Sequence, residues 1–221
     1  MRARNRSGRH AAAGVVLTLR STQARRTAPL DKLEQQLIFL REIDRLKTIT
    51  RQSPLLDRTR KENSAEHSWH LALYALVLSE YAHGSIDAHR VMQMLLLHDI
   101  VEIDVGDFPI HGGASPDVQA EQEARAAARI FGLLPLPQRR EFLDLWQEFE
   151  QAETEDAKFA KALDRFQPLL TNVFTDGGTW KENGVSLEQV LARYGPAIAR
   201  GAPQLWAVCE RWVFKHFQEQ R

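Results

Sequence analysis

The sequence predicts an all-α domain, a bundle of about seven or eight helices, and three observations carry that expectation. From Pro29 onward, apolar residues recur at steps of three and four, the period of one helix face. Stretches rich in Gly and Pro, among them "VGDFPIHGGASP", "GLLPLP" and "DGGTWKENG", punctuate the pattern at helix-length intervals. No stretch alternates apolar and polar residues beside a hairpin signal, so no strand is expected.

Leu33, Leu37, Leu40, Ile43 and Leu46 make an amphipathic first helix, which Pro54 in "TITRQSP" stops. The polar connector "LLDRTRKEN" leads to Ser64, read as the N-cap of a second helix through Glu80. Asp87 caps a third, which carries Val91, Met94, Leu95 and Leu97 into "HDIVEID". Further helices are predicted near 117–132, 137–151, 155–175, 186–198 and 203–218. Residues 31–221 read as one domain without internal repeats.

At 221 residues the chain can bury a sizeable core, and its one cysteine, Cys209, excludes an internal disulfide or a thiolate zinc site. A lone cysteine suits a reducing cytoplasm, where the protein is expected. No run approaches the roughly 20 apolar residues of a membrane-spanning helix. Residues 1–30 hold Arg2, Arg4, Arg6, Arg9, Arg20, Arg25 and Arg26 and no acid. The whole chain has zero formal charge, so from Asp31 onward it is acidic by those seven charges. A net-acidic body is a poor binder of nucleic acid, whose phosphates need clustered Lys and Arg. The basic head, with its short "AAAGVVLTL", reads as a disordered extension in preference to a targeting peptide.

Three segments carry residues suited to chemistry. In "LLLHDIVEIDVGDFP", His98 and Asp99 end an apolar run, with Glu102, Asp104 and Asp107 close behind. Buried carboxylates are costly, and such crowding is tolerable where a divalent cation neutralises it. In "FAKALDRFQPLL", Asp164 faces inward on an apolar helix. In "ENSAEHSWH", His67 and His70 stand one helical turn apart, a spacing at which both rings can share a face.

The ordered set His67, His98–Asp99 and Asp164 resembles the HD-domain superfamily of metal-dependent phosphohydrolases. The longer context, "LKTITRQSPLLDRTRKENSAEHSWHLAL", "LLLHDIVEIDVGDFP" and "KALDRFQPLL", is similar to the bacterial 5'-deoxynucleotidase branch and its eukaryotic relatives, over roughly residues 31–170. A bare His–Asp pair is a weak signal. The four positions together with the E-H-S, H-D-x-x-E and G-D-x-P elements are a specific one.

The resemblance implies a single HD-domain bundle in which His67, His98, Asp99 and Asp164 hold one divalent metal, Mn or Co in preference to Fe, Zn or Ni. It implies that Glu102 is the general base of a metal-activated water and that Asp107 is a second functional acid. Arg51 matches an arginine that grips the substrate phosphate. Gln52 stands where the branch carries an aromatic against the sugar, so a polar amide here suits a ribose as well. The activity implied is phosphate removal from (deoxy)nucleoside 5'-monophosphates, by a homodimer whose partner is a small phosphoester. The competing readings are hydrolysis of another phosphoester (a nucleoside triphosphate, a cyclic nucleotide or a non-nucleotide metabolite) and a non-catalytic metal- or nucleotide-binding regulator.

The remaining candidates have plainer readings. His70 is assigned to packing or to a hydrogen bond behind the ligands. His83, His89, His111 and His216 read as surface or helix-end residues, and Trp180, Trp206 and Trp212 as core or dimer packing. Lys158 and Lys161 flank Asp164 and read as solvated lysines in preference to phosphate contacts.

Overall fold

A computed structural model describes residues 30–108, 110 and 115–219. The basic extension assigned to residues 1–30 and His111 of the Gly-rich loop therefore lie outside the described residues, apart from Leu30. Ten α-helices are present among the described residues, eight of them ten residues or longer and two of one turn. The eight long ones are α1 (Lys32–Ile43), α2 (Ser64–Leu78), α3 (Ala88–Leu97), α5 (Pro116–Phe131), α6 (Leu136–Gln151), α7 (Glu155–Phe174), α9 (Leu187–Gly201) and α10 (Pro203–Glu219). The short ones are α4 (Glu102–Val105) and α8 (Gly178–Glu182), the second inside a segment expected to be a break. No helix among the described residues is long and apolar enough to cross a membrane.

The longest helix, α7, is the axis of the bundle and packs against α2, α3, α6, α9 and α10. Its Phe159, Leu163 and Leu169 join Leu71, Met94, Leu95, Phe149 and Ile198 in a core closed to solvent. Trp180 and Tyr194 are also buried, with ring centroids 6.0 Å apart. Where α7 meets α9, Gly201 leaves room for a carbonyl: a Cβ there would sit 2.1 Å from Lys158 O.

Three local expectations are corrected. The chain does contain strands: β1 (Thr50–Pro54) and β2 (Lys61–Asn63) form an antiparallel ribbon with Thr50 opposite Asn63. Its inward residues are Arg51, Ser53 and Glu62, all buried, so the usual apolar-in alternation is replaced by a polar one. Second, the N-cap of α2 is Asn63 and not Ser64. Asn63 is extended and its side chain accepts from Glu66 N, while the Glu66 side chain returns to Asn63 N.

Third, the α1 stripe does not face the core as a whole. Leu33, Leu37 and Leu40 are exposed, whereas Phe39 packs on Phe131 and Phe142. Phe39, Ile43 and Leu46 also lie at helical spacing, so two stripes share residues and the larger ring takes the buried side. The α-helix ends at Ile43, and a 3₁₀ turn (Asp44–Thr48) carries Leu46 into the core. The cap by Asp87 is as expected: its side chain accepts from His89 N and Arg90 N.

Candidate active site

Several elements deliver the polar residues that meet beside the middle of α7, where Asp164 stands. The capping box at Asn63 starts α2 so that His67, one turn in, points inward and is fully buried. A 3₁₀ turn (His98–Val101) at the end of α3 swings His98 and Asp99 beneath it, and α4 begins at Glu102. Gly106, at φ 78°, stops α4 in a conformation that disfavours side chains and turns Asp107 back toward the ribbon. The ribbon contributes Arg51 and Glu62, and α7 contributes Asp164.

His67, His98 and Asp164 each offer one ligand atom, and the three atoms lie within 4.8 Å of one another. His67 Nε2 is 3.2 Å from Asp164 Oδ1, and His98 Nε2 is 3.6 Å from the same oxygen. Of the two rings, His98 is held by a hydrogen bond from its other nitrogen, while His67 Nδ1 makes none. His98 Nδ1 lies 2.8 Å from Leu95 O and donates to it, which leaves Nε2 as the lone-pair nitrogen. His67 Nδ1 faces Glu62 Oε2 at 3.3 Å. Asp99 divides its oxygens, with Oδ1 3.0 Å from His98 Nε2 and Oδ2 accepting from Arg51 Nη1 at 3.0 Å.

Arg51 sits inside a ring of carboxylates. Its Nη1 lies 3.0 Å from Asp99, 3.2 Å from Asp107 and 3.6 Å from Glu102, and its Nε 3.7 Å from Glu62. Burial works against its charge, but Asp99 and Asp107 hold the guanidinium protonated more firmly than usual. Gln52, beside it, points outward and accepts from Lys61 Nζ at 2.8 Å.

The crowding of acids shapes several ionisations here. Burial opposes charge on His98, yet Asp99 and Asp164 push the imidazole up to about 10. Asp99 is drawn down to about 2, where His98 and Arg51 outweigh its own burial. Glu102 moves the other way: burial, with the charges of Asp99 and Asp107 added, pushes it up to about 9. Asp164 is held well below the usual carboxylate range, since Arg165 and the two imidazoles outweigh its burial. A cluster that draws a proton so strongly onto His98 draws any cation, and a metal competes with that proton for the same lone pair.

These residues fit a divalent metal. His98 Nε2 is buried and makes no hydrogen bond, although two carboxylates lie close to it. Two imidazoles and acidic oxygens form a mixed N/O donor set suited to first-row transition ions.

All the sequence-predicted site residues come together around one cleft, lining it or standing directly behind its lining. Arg51, Gln52, His98, Asp99, Glu102, Asp107 and Asp164 line the cleft, and His67 stands behind with its Nε2 edge toward Asp164. His70 is turned away and packs edge-on against Tyr74, with centroids 4.7 Å apart. Lys158 pairs with Glu155, while Lys161 reaches the cleft wall, pairs with Glu150 and lies over the Phe149 ring.

Glu62 went unread because it lies in a polar connector with no motif of its own. Gln167, which donates to Glu62 Oε1 at 3.0 Å, follows Asp164 by three positions on α7, and that helical spacing is the signal that marks it. Arg165, next to Asp164, also lines the cleft.

An all-α bundle with histidines and an acid from three separate helical segments around one point is the architecture of a metal-site protein, and comparison with known families agrees. The HD domain family matches residues 43–206, and the chain belongs to that family.

Among solved structures, a predicted metal-dependent phosphohydrolase from Magnetospirillum magnetotacticum MS-1 is 50% identical with a TM-score of 0.79, over 85% of this chain and 96% of that one. The 5'-deoxynucleotidase HDDC2 of Mus musculus is 30% identical over 135 residues, 61% of this chain. The 5'-deoxynucleotidase of Yersinia pestis (strain Pestoides F) is 27% identical over 164 residues, 70% of this chain and 83% of its own. The match spans 66% of the mouse relative's length, just under two thirds.

Proposed function

We propose that the chain is a metal-dependent phosphomonoesterase acting on nucleoside 5'-monophosphates. The observation that carries this reading is the buried His67–His98–Asp164 cluster opening onto a cleft that also holds Glu102 and Arg51. The similarity to proteins named 5'-deoxynucleotidase supports the substrate class.

In this reading His67, His98, Asp99 and Asp164 hold one divalent ion, Mn or Co in preference to others. Such an ion supplies Lewis-acid polarisation of a phosphoryl oxygen, a lower pKa for a neighbouring water, and positive charge that favours ionised Glu102. Glu102 is the general base that takes the proton of the attacking water. Asp107, which shares the Arg51 Nη1 atom with Glu102, attends the leaving nucleoside oxygen. Arg51 holds negative charge on the phosphoryl group as it builds, and the carboxylates around it fix its position. Gln52 lies on the rim where the sugar enters, tied to Lys61.

A homodimer in the cytoplasm is part of the same proposal. Trp69, Leu73, Leu76 and Val77 share one face of α2 and are 61%, 40%, 53% and 71% exposed. No charged residue interrupts α2 from His67 to Leu78, so the face suits a second copy of itself. Sedimentation of Val77→Glu tests it, since a charge facing its own symmetry mate splits the dimer.

The deciding experiment is phosphate release from a panel of nucleoside mono- and triphosphates, cyclic nucleotides and sugar phosphates, with Mn or Co. Release from a nucleoside 5'-monophosphate is expected. No release from any monophosphate overturns the reading, and release only from another phosphoester moves the substrate class.

A further inference from the structure

The cleft is a poor receptor for an anion as its ligands stand. Five carboxylates, Glu62, Asp99, Glu102, Asp107 and Asp164, surround the single guanidinium of Arg51. One divalent ion added to Arg51 still leaves that group short of neutral. A phosphomonoester brings about −1.5 to −2 charges at neutral pH, as phosphorylated side chains do. Binding it calls for another cation that is not already surrounded by acids.

Among the described residues that line the cleft, three are Lys or Arg: Arg51, Lys161 and Arg165. Their side chains are 10%, 19% and 33% exposed, so Arg165 is the most open to an incoming ligand. Arg51 is enclosed, and Lys161 is drawn to Glu150 and to the Phe149 ring. Among the described residues Arg165 has one acidic partner: its Nη1 donates to Asp164 Oδ2 at 3.1 Å.

That single contact sets its place. Asp164 turns Oδ1 toward His67 and His98 and Oδ2 toward Arg165. The guanidinium therefore stands one carboxylate away from the metal cluster, on the cleft wall. Its fork of donors suits phosphate oxygens, which accept in pairs.

We propose that Arg165 is a substrate-binding residue that grips the phosphoryl oxygens beside Asp164. This rests on the phosphomonoesterase reading above. The alternative role, an ion pair that only orients Asp164, predicts a different readout: it weakens the metal.

The test uses the Mn-loaded protein, with inorganic phosphate as the probe. Calorimetry gives the phosphate affinity and a separate titration the Mn affinity, for the wild type, Arg165→Ala and Arg165→Lys. Expected for Arg165→Ala is phosphate binding weaker by about 10- to 100-fold, the worth of a charge-assisted hydrogen bond or a pair of them, with Mn affinity within about threefold. Arg165→Lys recovers part of the loss, because a point charge replaces the fork.

Unchanged phosphate affinity in Arg165→Ala overturns the inference, and so does a loss that only follows a fall in Mn affinity. If Arg165→Ala does not fold, the graded loss in Arg165→Lys and Arg165→Gln decides in the same way. Wild-type protein that binds no phosphate and releases none from any monophosphate sinks the phosphomonoesterase reading itself. A wild type that does both, beside an Arg165→Ala that binds phosphate normally, sinks only the role of Arg165.

Discussion

Glu62 Oε2 lies 3.3 Å from His67 Nδ1, behind the ring edge that faces Asp164. The carboxylate belongs to a strand and the imidazole to the helix after it, so the capping box between them sets their distance. A carboxylate behind a histidine holds the ring's orientation and keeps the far nitrogen as the lone-pair donor.

Glu62→Ala is therefore expected to weaken Mn binding by about 10- to 100-fold, the usual cost of losing such a partner. Titration calorimetry on variant protein that melts normally measures it. Equal affinity in wild type and variant would show that packing alone orients His67.

The two histidines of α2 separate by function. His67→Ala is expected to abolish stoichiometric metal uptake, since it removes one of three converging ligand atoms. His70→Ala is expected to retain it, because that ring packs on Tyr74 outside the cluster. Bound metal after gel filtration, by elemental analysis, distinguishes the two.

Glu102→Gln keeps the side-chain volume and removes the proton acceptor. Loss of phosphate release by about 100-fold or more is expected, the lower range of general-base contributions, with Mn affinity retained. Turnover at the wild-type rate with any substrate would assign the base elsewhere.

Gln52→Trp tests the sugar side. Replacing an exposed amide on the cleft rim with an aromatic is expected to favour deoxy over ribonucleoside monophosphates, read as the ratio of their kcat/KM values. An unchanged ratio places the discrimination on another residue.

Gly201→Ala probes the packing of α9 on α7. Its Cβ would meet Lys158 O at 2.1 Å and the Ala162 methyl at 2.8 Å, so α7 and α9 must separate. Overpacking of this kind costs about 1–3 kcal/mol, which for a domain of this size lowers Tm by about 2–4 °C per kcal/mol. A melt unchanged from wild type would mean that the helices slide apart freely.

Much of the site was legible from residue type. A histidine or acid interrupting an apolar run, as His98, Asp99 and Asp164 do, is costly unless something uses it. His67 was told from His70 only by the family resemblance. The ribbon was not legible, because Arg51, Ser53 and Glu62 occupy the inward positions that apolar residues normally mark. The outward turn of Leu33, Leu37 and Leu40 was not legible either. Period alone does not choose between two stripes that share Ile43 and Leu46.

The sequence by itself determined the order of the long helices, the cap at Asp87, and the residue types present for chemistry. Those features depend on interactions reaching a turn or two along the chain. Only the tertiary structure decided that Arg51 meets Asp99 across 48 positions and His67 meets Asp164 across 97. It also decided that Glu62 backs His67 and that Arg165 is left open on the cleft wall. Charges so far apart in the chain interact only once packing around α7 has excluded water between them, and no local pattern encodes that distance.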